Sequence, residues 1–525
     1  MWDNLTHGWN GLLLAWLLVA IPLWISLHHG KAAIRQWALS PVIALAILFG
    51  AGICVSVLQG VLNAGTVMNA AIVFVCFPLA GYFGGRFLTR AITSNDVHKR
   101  GTRLREGTDQ QRSVTQPTRR QAGQLTLAGV DVPHEDETKH FKLVGTTGTG
   151  KSTAIRELIA GALKRGDRAI FADPDGGYRA RFYDASRGDV VLNPFDADSM
   201  KWDPFAEITA PYDVEQLINA LIPTGDEGPG REWRSYARTL VTAVTRRCMQ
   251  SGTNDLTELW RLLTAAPSEE LLPIVSGTPA QPFLEPSNAK MFSNIRSVAG
   301  SALSALEYIQ TQHAAMFSVR EWVKGGRGVL FIPYQAAQIA ALRGLIAAWM
   351  RIAIFEAMSR AEGDQRLWFV VDELDALGNI DGLKDALARL RKFGGRCVLG
   401  FQSIAQVSST YGPGEAHTIV ENCGNSLILR CSASEGGGTS RFASQLIGDR
   451  EILRAEYSYG RSDPTLFSRG GSSVSRNVTH RHVTEAAVMA SQIEQLPDLA
   501  GFLKLASNPA WMQVALSRDC SSTNM

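Results

Sequence analysis

The stretch FKLVGTTGTGKSTAIRELIAGALK, residues 141–164, decides the fold of this chain. It opens with the mainly apolar run FKLV, which suits a buried strand, and its second half repeats apolar side chains at helical spacing. Between these parts, Gly145 to Ser152 fit the pattern G-x-x-x-x-G-K-[ST]. A loop of this pattern between a strand and a helix is typical of phosphate binding. The sequence therefore predicts an α/β nucleotide-binding domain.

The phosphate loop supplies most of the candidate ligand contacts. The residues expected to contact nucleotide are Gly145, Thr146, Thr147, Gly148, Thr149, Gly150, Lys151, Ser152 and Thr153. The glycines let backbone N–H groups approach phosphate without a Cβ clash, and the helix N-terminus adds a favourable dipole. Lys151 is expected to reach the β- and γ-phosphates and the Ser152 hydroxyl to ligate Mg²⁺. We therefore expect ATP and Mg²⁺ as cofactors. A plain Gly-rich turn with a solvated Lys151 is disfavoured, because motif, strand and helix agree.

A second candidate motif lies far downstream, in LWFVVDE, residues 367–373. Five apolar residues predict a buried strand, and the two acidic residues follow at its carboxyl end, where α/β sheets bind ligands. We expect Asp372 to hold Mg²⁺ through water and Glu373 to deprotonate the attacking water. An exposed acidic pair at a strand end is the alternative, and the phosphate loop upstream favours the catalytic interpretation.

Two further candidates lie close behind this motif. Gln402 ends the predicted strand CVLGFQS, residues 397–403, which should neighbour the 367–373 strand. Its amide is expected to sense the γ-phosphate or place water, and a polar cap of the strand end is the alternative. Arg391, on the preceding helix, is expected to project into a neighbouring subunit's nucleotide site, as in ring ATPases. Simple solvent exposure of Arg391 is the alternative.

The rest of the chain predicts one sheet domain with a helical insertion. Apolar runs such as RAIFAD (168–173) and GVLFIPY (328–334) alternate with helical patterns, which indicates a parallel α/β sheet. Residues 200–325 lack strand alternation and are expected to form an inserted all-α domain. The nucleotide-binding domain would then comprise 125–199 and 326–525. Within the insertion, Arg231, Arg234 and Arg238 share a helix face close to Trp233 and Tyr236. That group could grip phosphates and stack bases, but we favour core aromatics beside a solvated charged face.

Composition excludes several classes of protein. Of 525 residues, 45% are hydrophobic and 19% charged, which excludes disorder, and no Gly or Pro period indicates a fibre. Residues 1–89 carry only Asp3, Lys31, Arg35 and Arg86, which leaves 49 basic and 48 acidic residues for the remainder. The net charge of that remainder therefore gives no sign of nucleic-acid binding. The seven Cys have no paired spacing, which excludes a disulfide scaffold or Cys-rich zinc site and suits a reducing compartment.

The N-terminal region predicts a membrane anchor. No charge occurs between Gln36 and Gly85, a run that would be about 75 Å long as one helix, against a hydrocarbon core of about 30 Å. We therefore predict three spans, near 10–27, 38–61 and 67–88, with two spans as the alternative, followed by a basic juxtamembrane linker over 91–124. Basic residues follow the first and third spans, so the N-terminus should lie outside and the bulk of the chain in the cytoplasm. A cleaved signal peptide is the alternative for the first span.

Three segments together resemble the type IV coupling proteins of conjugation, the TrwB/TraD-like family. They are AGVDVPHEDETKHFKLVGTTGTGKST (128–153), LWFVVDELDALG (367–378) and GFQS (400–403). The order of membrane spans, nucleotide core, helical insertion and core is also similar, over essentially the whole chain. The resemblance implies a RecA-like fold, a homo-hexameric ring and DNA-stimulated ATP hydrolysis at the bacterial inner membrane. It also implies that the protein links a relaxase–DNA complex to a type IV secretion channel and helps pump single-stranded DNA. Relatives of this pattern have two spans, whereas this sequence predicts three.

Two other functions fit some of these features. An FtsK-like DNA translocase shares the RecA-like motor, but it would carry a long linker and a C-terminal winged helix, and the residues after Cys431 show no recognition-helix signal. A nucleotide-gated membrane scaffold would recruit cargo without motor work, but Glu373 argues against it, because a pure switch has no use for a general base. ATP turnover with and without DNA separates the motor from the scaffold.

Overall fold

Three apolar helices follow one another at the start of the chain: Trp9–His29, Ile34–Leu62 and Thr66–Arg90. They coincide with the three predicted spans. Within the part of the chain that the structure describes, Leu12–His29 and Trp37–Gln59 are long and apolar enough to cross a membrane, whereas the apolar part of the third helix, Ala71–Arg86, is shorter. A membrane-anchoring region is therefore supported by two helices, and the third span stays a prediction.

The first and third of these helices pack closely because two glycines on the third leave room. A Cβ on Gly81 would lie 2.2 Å from the carbonyl oxygen of Val19, and one on Gly85 would lie 2.9 Å from that of Leu23. Small residues four positions apart are a common device for close helix packing in membranes. Val19, Leu23 and Phe77 are fully buried in the resulting contact.

The computed structural model describes residues 9–29, 34–62, 66–90, 96–106, 123–223, 230–359, 366–462 and 473–517. The chain divides into two units, Met1–Arg100 with Glu451–Thr484, and Gly101–Arg450 with Glu485–Met525. The first unit holds the apolar helices and a three-stranded sheet, in which Asp449–Ser462 lies between Val97–Gly101 and Ser473–Ala486. The predicted nucleotide-binding domain included both long strands of this sheet, but the division into units assigns residues 451–484 to the first unit.

The predicted linker over 91–124 also contains strands. Val97–Gly101 joins the three-stranded sheet, and Leu104–Glu106 pairs in parallel with Trp511–Ala515. These strands are short and mostly exposed, so they show no apolar alternation. Their pairing depends on backbone hydrogen bonds to distant segments, which a local pattern does not reveal.

A ten-stranded sheet forms the centre of the second unit. In order across the sheet, the strands are Leu104–Glu106, Trp511–Ala515, Ala500–Lys504, Asn425–Ile428, Phe141–Val144, Gly395–Phe401, Leu367–Val371, Arg168–Pro174, Val329–Tyr334 and Val190–Val191. The seven strands from Asn425–Ile428 to Val190–Val191 are parallel, as predicted. Ala500–Lys504 and Trp511–Ala515 extend the sheet by antiparallel pairing and were absent from the prediction.

The middle strands are mainly apolar, with buried exceptions such as Lys142 and Arg396, because helices cover both faces of the sheet. We name Phe141–Val144 the phosphate-loop strand, Gly395–Phe401 the glutamine strand and Leu367–Val371 the acidic strand; every residue of all three is buried. The α-helices of the sheet domain are His134–Glu137, Lys151–Lys164, Arg179–Phe182, Ile339–Met358, Leu383–Leu390, Ile404–Tyr411, Pro413–Asn422, Gly438–Ile447 and Ala490–Glu494.

The insertion between the two halves of the sheet is helical, as predicted, apart from one short parallel pair, Lys201–Trp202 with Met316–Phe317. Its helices are Asp213–Leu221, Gly230–Gln250, Leu256–Thr264, Ser268–Val275, Ala289–Ala302, Leu306–Gln310 and Val319–Gly325. Trp233 and Tyr236 pack edge to face with ring centroids 6.0 Å apart, and Tyr236 also packs on Phe283. These two aromatic side chains are partly buried and pack against the hydrophobic core, in the direction of the favoured interpretation.

Candidate nucleotide site

The phosphate loop leaves the carboxyl end of the phosphate-loop strand and runs directly into the helix Lys151–Lys164. Gly148 and Gly150 adopt φ values of 77° and 115°, a left-handed region that L-residues rarely occupy. The Thr146 N–H donates to the carbonyl oxygen of Arg430 at 2.9 Å, and the Thr149 hydroxyl donates to that of Thr146 at 2.7 Å. The loop is thus held in shape by its own side chains and by the neighbouring strand.

Lys151 lies folded into this loop. Its Nζ donates to the carbonyl oxygens of Gly145 at 2.6 Å and Thr146 at 3.3 Å. Burial lowers the pKa of Lys151, and the nearby charges of Asp372 and Glu373 act in the opposite direction. The ammonium group therefore sits at the loop, close to two carboxylates, where anionic phosphates would replace its carbonyl partners.

The structure brings the two predicted metal ligands into direct contact. Ser152 Oγ donates to Asp372 Oδ2 at 2.6 Å. The second oxygen, Asp372 Oδ1, is buried and has no hydrogen-bond partner among the described residues. A buried carboxylate oxygen without a partner is costly, and hard oxygen ligands suit Mg²⁺. The residues present therefore fit a magnesium ion at this position.

The remaining predicted site residues form a chain of hydrogen bonds across three strand ends. The Thr147 hydroxyl donates to Gln402 Oε1 at 3.0 Å, and Gln402 Nε2 donates to Glu373 Oε1 at 3.1 Å. The glutamine strand lies between the phosphate-loop and acidic strands, as expected. Burial raises the pKa of Glu373, and the charges of Asp372 and Asp375 raise it further, while the hydrogen bond from Gln402 lowers it. Glu373 is therefore a better proton acceptor than an ordinary glutamate.

A cavity of about 190 Å³ connects these groups. It is lined by Thr147, Gly148, Gly150, Lys151, Ser152, Thr153, Asp372, Glu373, Gln402 and Leu499. Gly145, Thr146 and Thr149 shape the loop from behind rather than lining the cavity. The predicted contacts of the loop thus separate into cavity-lining residues and residues that support them.

Arg391 does not join this site within its own chain. It begins the short turn Arg391–Phe393, which precedes the glutamine strand, and it is exposed. This turn lies at the amino end of the strand, whereas Gln402 follows its carboxyl end. A role for Arg391 in a neighbouring subunit stays a prediction.

Sequence reasoning missed two residues of the site. The Tyr178 hydroxyl donates to Asp372 Oδ2 at 2.8 Å, and burial together with the Asp372 charge holds the pKa of Tyr178 well above its ordinary value. Leu499 has a φ of 64°, and its N–H donates to the carbonyl oxygen of Thr149 at 3.0 Å. Neither residue belongs to a recognisable motif. The feature of the sequence that could have pointed to Tyr178 was its position five residues after Asp173, near the end of the strand Arg168–Pro174.

Comparison with known proteins gives a consistent result. Residues 124–517 match the family model described as the type IV secretion-system coupling protein DNA-binding domain. The coupling protein TraD of Escherichia coli (strain K12) is 31% identical over 414 residues, which are 76% of this chain and 56% of TraD. The chain therefore spans little more than half the length of that relative.

Solved structures of the plasmid coupling protein TrwB are also similar. The unbound form of TrwBdeltaN70 has a TM-score of 0.69 and 32% identity, covering 81% of this chain and 94% of that one. TrwB in complex with ADP and Mg²⁺ has the same TM-score and identity, with 81% and 95% covered. TrwB in complex with the ATP analogue ADPNP has a TM-score of 0.69 and 31% identity, with 80% and 94% covered. These matches confirm the RecA-like fold with an inserted all-α domain.

Proposed function

The chain belongs to the type IV secretion-system coupling protein family, and from that premise we propose that it is a membrane-anchored ATPase of conjugation. In this proposal it couples a relaxase–DNA complex to a type IV secretion channel and uses ATP hydrolysis to help pump single-stranded DNA.

One observation carries the enzymatic part of the proposal. Ser152 contacts Asp372, and Gln402 bridges Thr147 to Glu373, so that the phosphate loop is joined to both carboxylates. A protein that only binds nucleotide has no use for a glutamate with a raised pKa beside the phosphate loop. Hydrolysis therefore accounts for this arrangement better than a nucleotide-gated scaffold.

The chain's own residues divide the chemistry of phosphoryl transfer. Ser152 and Asp372 would hold Mg²⁺, which supplies positive charge to the phosphate oxygens. Lys151 would turn from its carbonyl partners to the β- and γ-phosphates. Glu373 would accept a proton from the attacking water, and Gln402, hydrogen-bonded to Glu373, would orient that water. TrwB binds ADPNP, and also ADP with Mg²⁺, which supports ATP and Mg²⁺ as cofactors here.

The proposed location is the bacterial inner membrane. Two N-terminal helices have the length and hydropathy of membrane spans. The excess of Lys and Arg after the apolar region favours a cytoplasmic position for the sheet domain. We propose a multi-pass anchor, a homo-hexameric ring in the membrane plane, and DNA and relaxase as cytoplasmic partners. Membership in the family supports DNA as a partner, since the family model is described as a DNA-binding domain, and TrwB is named a bacterial conjugative coupling protein.

ATP turnover of the detergent-extracted full chain tests the proposal. We expect Mg²⁺-dependent hydrolysis that rises with single-stranded DNA and exceeds the rise with double-stranded DNA of equal length. Lys151→Ala should fold and insert but lose nucleotide binding and turnover, because its ammonium acts on phosphate rather than on the core. Nucleotide binding without turnover would favour the scaffold, and a preference for double-stranded DNA would favour an FtsK-like translocase. Normal nucleotide affinity in Lys151→Ala would contradict the phosphate-loop assignment.

A further inference from the structure

Tyr178 is a buried side chain with a polar tip in the nucleotide site, and no motif accounts for it. It is 1% exposed and lies between the strand Arg168–Pro174 and the helix Arg179–Phe182. Its hydroxyl donates to Asp372 Oδ2 at 2.8 Å. We propose that Tyr178 is a positioning residue that fixes the Asp372 carboxylate in the orientation required for Mg²⁺. This inference rests on the proposed function and names one more residue of the same site.

The backbone and ring of Tyr178 are fixed independently of Asp372. Its N–H donates to Asp173 Oδ1 at 2.9 Å, and Asp173 is fully buried at the end of the strand next to the acidic strand. The Tyr178 ring stacks on Phe171 with centroids 5.1 Å apart, and the Arg156 guanidinium lies 5.7 Å from the ring centroid. The hydroxyl is therefore delivered by a rigid support, which is what positioning requires.

The contacts of Asp372 show what this support does. Both hydroxyl donors, Ser152 at 2.6 Å and Tyr178 at 2.8 Å, bind the same oxygen, Oδ2. Oδ1 is buried without a partner among the described residues. Two donors on one oxygen restrict rotation of the carboxylate and leave the other oxygen to face a ligand. Without Tyr178, only Ser152 would orient the group, and Ser152 is itself expected to bind the metal.

The probe is Mg²⁺, and the readout is the affinity of a fluorescent, non-hydrolysable ATP analogue for the full chain. Wild type should bind the analogue more tightly as Mg²⁺ is added. Tyr178→Phe keeps the ring and removes the donor. Loss of a partner that orients a metal ligand typically costs about 10–100-fold in metal affinity. We expect the half-saturating Mg²⁺ concentration to rise about tenfold or more, with unchanged analogue affinity in EDTA.

Two further variants separate positioning from packing. Tyr183→Phe is the matched control, because Tyr183 lies on the same segment, is 43% exposed and packs on Phe331. Its half-saturating Mg²⁺ concentration should equal that of wild type. Tyr178→Met supplies a second donor-free side chain that fills irregular apolar space, should Tyr178→Phe be too unstable to titrate. It should show the same rise in half-saturating Mg²⁺.

A double-mutant cycle checks that the effect passes through Asp372. In an Asp372→Asn background, Tyr178→Phe should cause no further change in the Mg²⁺ titration, since the carboxylate to be oriented is gone. An unchanged half-saturating Mg²⁺ in both Tyr178 variants would overturn the inference and leave the proposed function standing. An equal loss of affinity with and without Mg²⁺ would also overturn it, because that pattern indicates a packing role. Absence of any Mg²⁺ effect in wild type would overturn the magnesium site at Asp372 and, with it, this inference.

Discussion

The surroundings of Glu373 shift its pKa in the direction that its proposed role as a base favours. It is partly buried at the end of the acidic strand, between the charges of Asp372 and Asp375. Both burial and like charges disfavour its ionised form and raise its pKa, whereas the amide of Gln402 stabilises that form. The balance makes the Glu373 carboxylate a stronger base while it stays hydrogen-bonded in a defined position.

At the residue scale, Glu373→Gln should separate binding from turnover. The amide keeps the size of the side chain but cannot accept a proton from water. Loss of a general base typically slows a reaction by about 10²–10⁴-fold. We expect Mg²⁺-dependent ATP binding within a few-fold of wild type and a steady-state rate lower by about that factor. A rate equal to wild type would mean that another group is the base.

The raised pKa of Glu373 also predicts the pH dependence of hydrolysis. The base must be ionised, so turnover should fall as the pH falls through the Glu373 pKa, and this acid limb should lie above the ordinary glutamate value of 4.5. Asp375→Asn removes one neighbouring negative charge, lowers the pKa and should move the limb to lower pH. Asp385→Asn, at an exposed helical position, is the control and should leave the limb in place. The measurement is kcat against pH for the three proteins.

At the scale of elements, the glutamine strand brings distant segments together. It pairs with the phosphate-loop strand on one side and the acidic strand on the other, so its carboxyl end puts Gln402 within reach of both Thr147 and Glu373. Its amino end follows the turn that carries Arg391. One strand therefore connects a cavity-lining amide to an exposed guanidinium at the opposite edge of the sheet.

We predict that Arg391, which is exposed and lies outside the nucleotide site of its own chain, acts across a subunit boundary. An inserted arginine can raise the rate of phosphoryl transfer by about 10³–10⁵-fold, and lysine replaces its planar fork poorly. Arg391→Lys should bind ATP normally, hydrolyse it poorly and lose stimulation by DNA. Mixing Arg391→Ala with Lys151→Ala subunits, each inactive alone, should restore activity, because some interfaces then join an intact loop to an intact arginine. If mixed rings form without activity, Arg391 is not the residue, and Arg389, which is also exposed, would be tested next.

At the scale of the whole molecule, the two units have separate cores. The buried residues of the N-terminal helices, such as Val19 and Phe77, form a cluster of their own. All described contacts of the nucleotide site, from Thr147 to Leu499, lie within the second unit. Nucleotide binding and membrane anchoring are therefore assigned to different parts of the chain.

A chain lacking residues 1–95 tests this separation. We expect it to bind the fluorescent ATP analogue within about threefold of the full chain, because no group of the site is removed. Association with lipid vesicles in a flotation assay should be lost, since the apolar helices are gone. Lys151→Ala in the shortened chain is the control for specific binding. Loss of nucleotide binding in the shortened chain would show that the site depends on the N-terminal unit.

The residues from Phe141 to Lys164 were enough to predict the phosphate loop. Strand, loop and helix are contiguous there, and the spacing of Gly, Lys and Ser in the loop is itself what places the phosphate-binding groups. The acidic strand was predictable for a similar reason: a buried apolar run ends in two carboxylates. The helical insertion and the apolar N-terminal helices followed from periodicity and length.

Tertiary structure alone decided how these pieces meet. Tyr178 reaches Asp372 across 194 positions, and the Leu499 N–H reaches the carbonyl oxygen of Thr149, although neither residue has a motif. The strands Leu104–Glu106 and Trp511–Ala515 pair although they lie near opposite ends of the second unit's sequence. Local sequence patterns indicate which side chains are buried. Strand order and packing determine which distant backbone groups and side chains become neighbours. For that reason the sequence predicted the candidate ligands of the site, while only the fold revealed which other residues contact them.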